Sequence, residues 1–113
     1  MIHDANERVL KIDAEGYLLD PDEWDEIAAA QLARQEGVEL ADEHWRILRF
    51  MRSYYEEHQI IPDARFVIKF LAGEMGYEKS AARNRLFTLF PYGYVKQACK
   101  IAGMKRPRAW STG

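Results

Sequence analysis

Glycine and proline divide this chain into short segments, because a helix rarely continues through either residue. Pro21 opens the first segment, and further breaks follow at Gly37, Pro62, Gly73, Gly76, Pro91 and Gly103. Between the breaks, apolar residues recur at the three- and four-residue spacing of amphipathic helices. The pattern predicts a mainly α protein, a five-helix orthogonal bundle with helices at about 21–36, 42–58, 63–73, 78–89 and 93–103.

The first helix has the clearest start signal. Asp20 precedes Pro21, which suits an N-cap followed by proline at the first helical position, and acidic residues follow near the positive end of the helix dipole. We expect Trp24, Ile27 and Leu32 on its inward face.

A short β-hairpin is predicted before this helix, at about 8–19. The stretch from Val9 to Leu18 contains two short strand-like runs around a turn at residues 13–16, where Gly16 can adopt a positive φ. The helical body then covers about 21–103.

Length and composition predict one domain over 1–113, since 113 residues can form one hydrophobic core but not two. No apolar run approaches the roughly 20 residues of a membrane span, and the first residues lack the basic and apolar regions of a signal peptide. We therefore expect a cytoplasmic protein, a monomer or weak dimer, with no membrane partner.

The charges are distributed unevenly along the chain. Residues 1–44 carry thirteen acidic and three basic side chains, a net charge of −10, whereas residues 45–113 carry a net charge of +8. Such a chain either pairs its halves internally or offers a basic face to an acidic partner or to nucleic acid. Internal pairing and solvated faces are the favoured interpretation.

Cys99 is the only cysteine in the sequence, so any disulfide must be intermolecular. Lys96 and Lys100 lie close to it along the predicted last helix, and nearby cations favour the reactive thiolate. However, Cys99 also belongs to an apolar stripe with Ala98 and Ala102, and free cysteines are commonly buried. Both readings, a reactive thiol and a packed one, stay open.

A flexible C-terminal arm is expected at 104–113, after the last helix. Its cations Lys105, Arg106 and Arg108 either steer an anionic partner or keep the tail soluble. Trp110 has a large apolar surface that is normally covered. The arm is therefore expected to dock, either on the protein body or in a partner.

Segment 64–90 resembles a helix-turn-helix, with a turn glycine at Gly76 and a polar second helix. Four residues of that helix could face phosphates and base edges: Lys79, Arg83, Asn84 and Arg85. Any tight helical corner in a small domain produces the same pattern. The helix-turn-helix resemblance nevertheless gives one alternative function for the chain, that of a regulatory DNA- or RNA-binding protein.

The histidines and carboxylates do not form a motif for a metal or cofactor. No His, Cys, Asp and Glu cluster has zinc-ligand spacing, and no glycine-rich phosphate loop is present. The sequence predicts no metal, no cofactor and no self-contained active site.

Several short stretches, in this order and spacing, resemble the DsrC/TusE family: DAEGYL at 13–18, Trp24, EHW at 43–45, FMRSYY at 50–55, Pro62 with Arg65, LFTLFP at 86–91 with Gly93, and KQACKIAG at 96–103. The family comprises partners of dissimilatory sulfite reductase resembling its gamma subunit, and sulfur-relay proteins of tRNA wobble-uridine thiolation. The resemblance implies a mostly helical fold with a small hairpin and a mobile C-terminal arm.

The same resemblance implies sulfur chemistry at a cysteine next to last in the chain, where this sequence has Thr112. Cys99 matches a second cysteine that DsrC members carry on the preceding helix. The sequence thus resembles a diverged member of the family that lacks the penultimate arm cysteine.

The function implied is a sulfur-relay or sulfite-reductase-associated protein that docks to enzymes of sulfur metabolism. Cys99 is the candidate sulfur acceptor or mixed-disulfide residue, with Lys96 and Lys100 as its environment. In that role the protein is a sulfurtransferase-like carrier at most.

Overall fold

The computed structural model describes residues 1–105, and its sheet lies at the N-terminus. Strand β1 (Ile2–His3) pairs antiparallel with strand β2 (Val9–Leu10). The Asp4 carboxylate organises the turn between them, because it accepts hydrogen bonds from the backbone N–H groups of Asn6 and Arg8, both at 2.9 Å.

A small N-terminal β-hairpin is present as predicted, but its bounds differ from the predicted 8–19, where the two runs form one isolated bridge between Ile12 and Leu18. The predicted turn at 13–16 is present, and Gly16 has a φ of +93°. Regular pairing is found instead between β1 and β2. The sequence did not reveal β1, since two residues are too few to show an alternating pattern.

Within residues 1–105, five helical segments follow a short 3-10 helix at Pro21–Glu23. They are α1 (Glu26–Gln35), α2 (Asp42–His58), α3 (Ala64–Glu74), α4 (Lys79–Leu89) and a wide π-helix (Tyr94–Cys99). The π-helix continues as a short helical turn to Ile101, and together they form the last helix. The mainly α fold with five helices is as predicted. None of the helices within residues 1–105 is long and apolar enough to cross a membrane.

The helix predicted at 21–36 is broken in two. Asp20 caps the 3-10 helix, Trp24 is extended, and the Asp25 carboxylate restarts the helix by accepting a hydrogen bond from the N–H of Ala28 at 2.8 Å. The break changes the helical register, so Ile27 is half exposed and its predicted inward position is wrong. Leu32 is buried as predicted.

The core collects apolar side chains from every helix, including Leu32, Ile47, Leu48, Met51, Leu71, Leu86 and Phe90. His44 joins the start of α2 to the end of α4. Its Nδ1 accepts a hydrogen bond from the N–H of Ala41 at 3.0 Å, and its Nε2 donates to the carbonyl of Leu89 at 2.8 Å. Helices α3 and α4 pack against each other and form the predicted corner around Gly76.

Candidate functional site

The last helix is built around a buried thiol. Gly93, with a φ of +98°, starts the π-helix, and its carbonyl accepts a hydrogen bond from the N–H of Ala98, five residues later, at 3.4 Å. A turn of this kind is wider than an α-helical turn. Tyr94 and Cys99 are also five residues apart, and both side chains are fully buried.

Burial raises the pKa of the Cys99 thiol to about 12, and the nearby Tyr94 hydroxyl only partly offsets this effect. The cause is desolvation, because removing water disfavours the charged thiolate. The thiol is therefore protonated and shielded at neutral pH.

The two lysines predicted beside the thiol lie toward the surface of the protein. Lys100 Nζ pairs with Glu36 Oε2 at 3.1 Å and lies 5.0 Å from the centre of the Tyr17 ring. Lys96 is exposed, and both lysines line an outer surface pocket that also includes Tyr92. The lysines are on the solvent side of the helix, whereas the thiol faces the core.

Tyr94 joins the last helix to the segment just before α3, since its hydroxyl donates a hydrogen bond to the carbonyl of Pro62. Burial is the main reason that the pKa of Tyr94 lies far above its ordinary value, with Cys99 the next contributor. The Tyr17 hydroxyl donates to the carbonyl of Val95 at 3.0 Å on another side. The helix that carries Cys99 is thus held from at least two directions.

A second cluster holds the end of this helix, where the C-terminal arm begins. Trp24 Nε1 donates to the carbonyl of Ile101 at 2.8 Å. Arg52 donates from Nη1 to the carbonyl of Ala102 at 3.1 Å and from Nη2 to that of Pro21 at 2.9 Å. We call Trp24 and Arg52 the carbonyl clamp, because both donate to the last carbonyls of the helix.

Arg52 is a costly residue to bury. Desolvation lowers the pKa of its guanidinium, and its Nε has no hydrogen-bond partner within the described part of the chain. Its guanidinium carbon lies 4.8 Å from the Trp24 ring centre and 5.5 Å from that of Tyr55, which suits cation–π attraction. Sequence reasoning missed this role, although a charged residue between Met51 and Tyr55 on an apolar stripe was an available signal.

Gly103 lies beside the Trp24 side chain of the carbonyl clamp. Its φ is +74°, and a Cβ added there would lie 2.2 Å from Trp24 Cδ1. Only glycine combines this backbone conformation with such a close indole ring.

Of the predicted arm contacts, the structure describes Lys105, which is exposed. The predicted contacts at Arg106, Arg108 and Trp110 lie outside the described residues.

The four predicted nucleic-acid contacts are separated by the fold. Lys79, Arg83 and Asn84 are exposed on α4. Arg85 instead forms an ion pair with Glu43 of α2, whose other carboxylate oxygen accepts a 2.6 Å hydrogen bond from the Tyr77 hydroxyl. The Arg85 guanidinium, followed by this hydroxyl, holds the pKa of Glu43 below its usual value. Arg85 therefore serves an internal contact, and the predicted set of four is incomplete.

Comparison with known proteins reveals close relatives. The chain is 44% identical to the sulfurtransferase TusE of Pectobacterium atrosepticum over 100 residues, which covers 88% of this chain and 91% of the relative. It is 43% identical to the TusE of Yersinia pestis over 100 residues, with 88% and 91% of the two chains covered.

Solved structures of DsrC proteins share the fold. The oxidized gamma-subunit of the dissimilatory sulfite reductase (DsrC) from Archaeoglobus fulgidus matches with a TM-score of 0.81 and 32% identity, covering 95% of this chain and 96% of the other. DsrC of Allochromatium vinosum matches with a TM-score of 0.80 and 37% identity, covering 99% and 96%. A model of the family described as DsrC like protein matches residues 4–109. This protein therefore belongs to the DsrC-like family, which its residue pattern resembles.

Proposed function

We propose that this protein has a sulfur-relay or sulfite-reductase-associated role and performs it by docking to a partner of sulfur metabolism. The TusE relatives are sulfurtransferases, and the Archaeoglobus fulgidus relative is a sulfite-reductase gamma-subunit. Their similarity to this chain extends over most of its length. It supports a partner of the same class, either a sulfur-relay protein or a sulfite reductase.

The burial of Cys99 is the observation that supports docking over sulfur carriage. A thiol takes up sulfur when its thiolate attacks the outer sulfur of a donor persulfide and the donor thiolate leaves. In this fold the thiol is protonated at neutral pH and covered by the core. The partner therefore supplies the reacting sulfur groups, and this chain positions them.

The competing role of Cys99 as the sulfur acceptor requires the last helix to leave its contacts with Tyr17 and Pro62. A mass measurement distinguishes the two roles. The reduced native protein is incubated with a persulfide donor, in parallel with Cys99→Ala and with the wild type unfolded in urea. We expect a reductant-sensitive gain of about 32 Da, one sulfur atom, on the unfolded wild type alone. The same gain on the native protein would make Cys99 a carrier.

Docking itself is tested in cells and with purified enzyme. Expressed beside a resident TusE, the chain is expected to lower tRNA wobble-uridine thiolation by occupying the docking site, and Cys99→Ala should act equally. Restoration of thiolation in a strain without TusE, lost in Cys99→Ala, would instead indicate sulfur carriage. In parallel, binding to a dissimilatory sulfite reductase depleted of its gamma-subunit is measured by calorimetry. No effect in cells together with no binding to the reductase would contradict the docking role.

We also place the protein in the cytoplasm, where an unpaired cysteine stays reduced. Two further statements stay predictions: the protein is a monomer or weak dimer, and segment 64–90 binds nucleic acid. Sedimentation tests the oligomeric state, and a salt-dependent gel shift tests the nucleic-acid binding.

A further inference from the structure

A basic groove runs along the outer faces of α3 and α4. It encloses about 610 Å³, and four of its lining side chains are cations: Arg65, Lys69, Lys79 and Arg83. None of the residues that line it within the described chain is acidic. We call this surface the α3–α4 groove.

Most of this positive charge is not neutralised by neighbours. Arg65 pairs with Asp63, with Nε and Oδ1 3.3 Å apart. Lys69, Lys79 and Arg83 form no ion pair within residues 1–105. Apart from Asp63, the nearest acids in the sequence are Glu74, the last residue of α3, and Glu78, the N-cap of α4.

The α3–α4 groove also has apolar walls, formed by Phe66, Ile68 and Ala72. The Phe66 side chain is 43% exposed, and its ring stacks on Tyr54 with the ring centres 5.6 Å apart. The aliphatic stems of lysine and arginine extend such apolar surface while their charges remain in water. The lining of the groove thus combines apolar side chains with cationic ones.

We infer that the α3–α4 groove binds an acidic amphipathic segment of a partner protein. Apolar side chains of the segment cover Phe66 and Ala72, the lining residues with exposed apolar surface, and its carboxylates face Lys69, Lys79 and Arg83. This arrangement, an apolar centre within a charged rim, is typical of protein interfaces. Opposite charges around the groove also steer the two partners together.

Charge favours a short acidic segment over a nucleic-acid duplex. Duplex DNA carries one charge per roughly 1.7 Å of its length. The described part of the chain measures 41 Å along its longest axis, and residues 1–44 carry a net charge of −10. A duplex that extends beyond the groove is therefore repelled by the acidic half, and Arg85 is engaged by Glu43. A segment confined to the groove meets less repulsion.

The inference rests on the proposed docking role in one respect, since that role names the class of protein that carries the acidic segment. Its test uses no relay component, so the two proposals can fail separately. The probe is a capped peptide of about 16 residues with leucine and glutamate on opposite faces of a helix. Binding to the full chain is measured by fluorescence anisotropy, and the contact residues are located by amide NMR shifts.

Two variants and one control define the expected result. Reversing two groove charges together, Lys69→Glu with Arg83→Glu, should weaken peptide binding by about tenfold or more, because attraction becomes repulsion. Phe66→Ser should weaken binding by about threefold or more through lost apolar contact. Lys11→Glu with Arg46→Glu, a matched double reversal at exposed residues outside the groove, should change binding less than about twofold. Circular dichroism establishes that each variant is folded.

Any of three results would overturn the inference. The first is peptide binding that shifts no α3 or α4 amide, or no binding at all. The second is equal binding of a peptide with lysine in place of every glutamate. The third is duplex DNA that binds more tightly than the peptide at the same ionic strength and is weakened by the same double reversal. That last outcome would make the groove a nucleic-acid surface.

Discussion

At the scale of single residues, Cys99 shows how burial decides chemistry. The same side chain is a nucleophile when its charge is stabilised and an inert packing group when it is desolvated. Its neighbours along the chain include two lysines, yet its pKa is raised because its neighbours in space are apolar. Spacing along the helix did not reveal which of these environments the thiol meets.

The raised pKa of Cys99 predicts a loss of stability in alkali. The folded-state pKa of about 12 exceeds the ordinary value of 9.0, so unfolding releases a proton above pH 9. The stabilising contribution is complete below pH 9 and falls by about 1.4 kcal/mol per pH unit between pH 9 and 12. Urea unfolding at pH 8, 9, 10 and 11 should show this extra loss in the wild type relative to Cys99→Ala. Parallel pH profiles of the two proteins would contradict the buried thiol.

Gly103 provides a second prediction at this scale. Gly103→Ala should lower the free energy of unfolding by about 2–4 kcal/mol, because it combines an unfavourable positive φ with a clash against Trp24. Gly37→Ala is the matched control, since Gly37 has a φ of +72° and nothing within 4 Å of an added Cβ. The control should lose about 1–2 kcal/mol in thermal or urea unfolding. Equal losses at both positions would remove the role of the Trp24 contact.

At the scale of secondary-structure elements, caps and contacts decide where a segment ends and how it is held. Two successive caps, at Asp20 and Asp25, explain why one predicted helix became two. The carbonyl clamp explains how the last helix ends, because side chains from two other segments donate to its final carbonyls. These contacts determine where the C-terminal arm leaves the body.

The carbonyl clamp predicts a local change on substitution. Trp24→Phe removes the donor to the Ile101 carbonyl and should cost about 1–2 kcal/mol of stability. Hydrogen exchange at the amides of Gly103 and Met104, which close the end of the helix, should become faster than in the wild type. Trp45→Phe, a change at a partly buried indole outside the clamp, is the control. Unchanged exchange in Trp24→Phe would show that the hydrogen bond does not hold the helix end.

The ion pair between α2 and α4 predicts a pH dependence in acid. Arg85 holds the pKa of Glu43 below its usual value, so the stabilisation is present above about pH 4.5 and is lost as the pH falls. Glu43→Gln should therefore lower the free energy of unfolding at pH 7 by about 1 kcal/mol, a modest value because the pair is partly exposed. The difference in the free energy of unfolding between Glu43→Gln and the wild type should shrink towards pH 3. The control Glu57→Gln should match the wild type at every pH. A difference that does not change with pH would mean that the charge of Glu43 is not the cause of the lost stability.

At the scale of the whole molecule, the uneven charge along the sequence is only partly paired. Ion pairs join the acidic half to the basic half at Glu26 with Arg49, Glu36 with Lys100, and Glu43 with Arg85. These contacts bear out the expectation of internal pairing. Lys69, Lys79 and Arg83 of the α3–α4 groove are among the cations that form no ion pair within residues 1–105, and their position on one face could not be read from a net charge of +8.

The sequence by itself determined the helical fold class, most helix bounds, the positive φ of Gly16 and the family. The fold class, the helix bounds and the turn depend on caps, helix-breaking residues and apolar spacing, which act between residues close together along the chain. The family was indicated by the resemblance of short residue stretches in a fixed order. Tertiary structure alone decided the burial of Cys99, the pairing of Lys100 with Glu36 and the burial of Arg52. These contacts join residues far apart in sequence, and desolvation depends on everything packed around a group rather than on its neighbours in the chain.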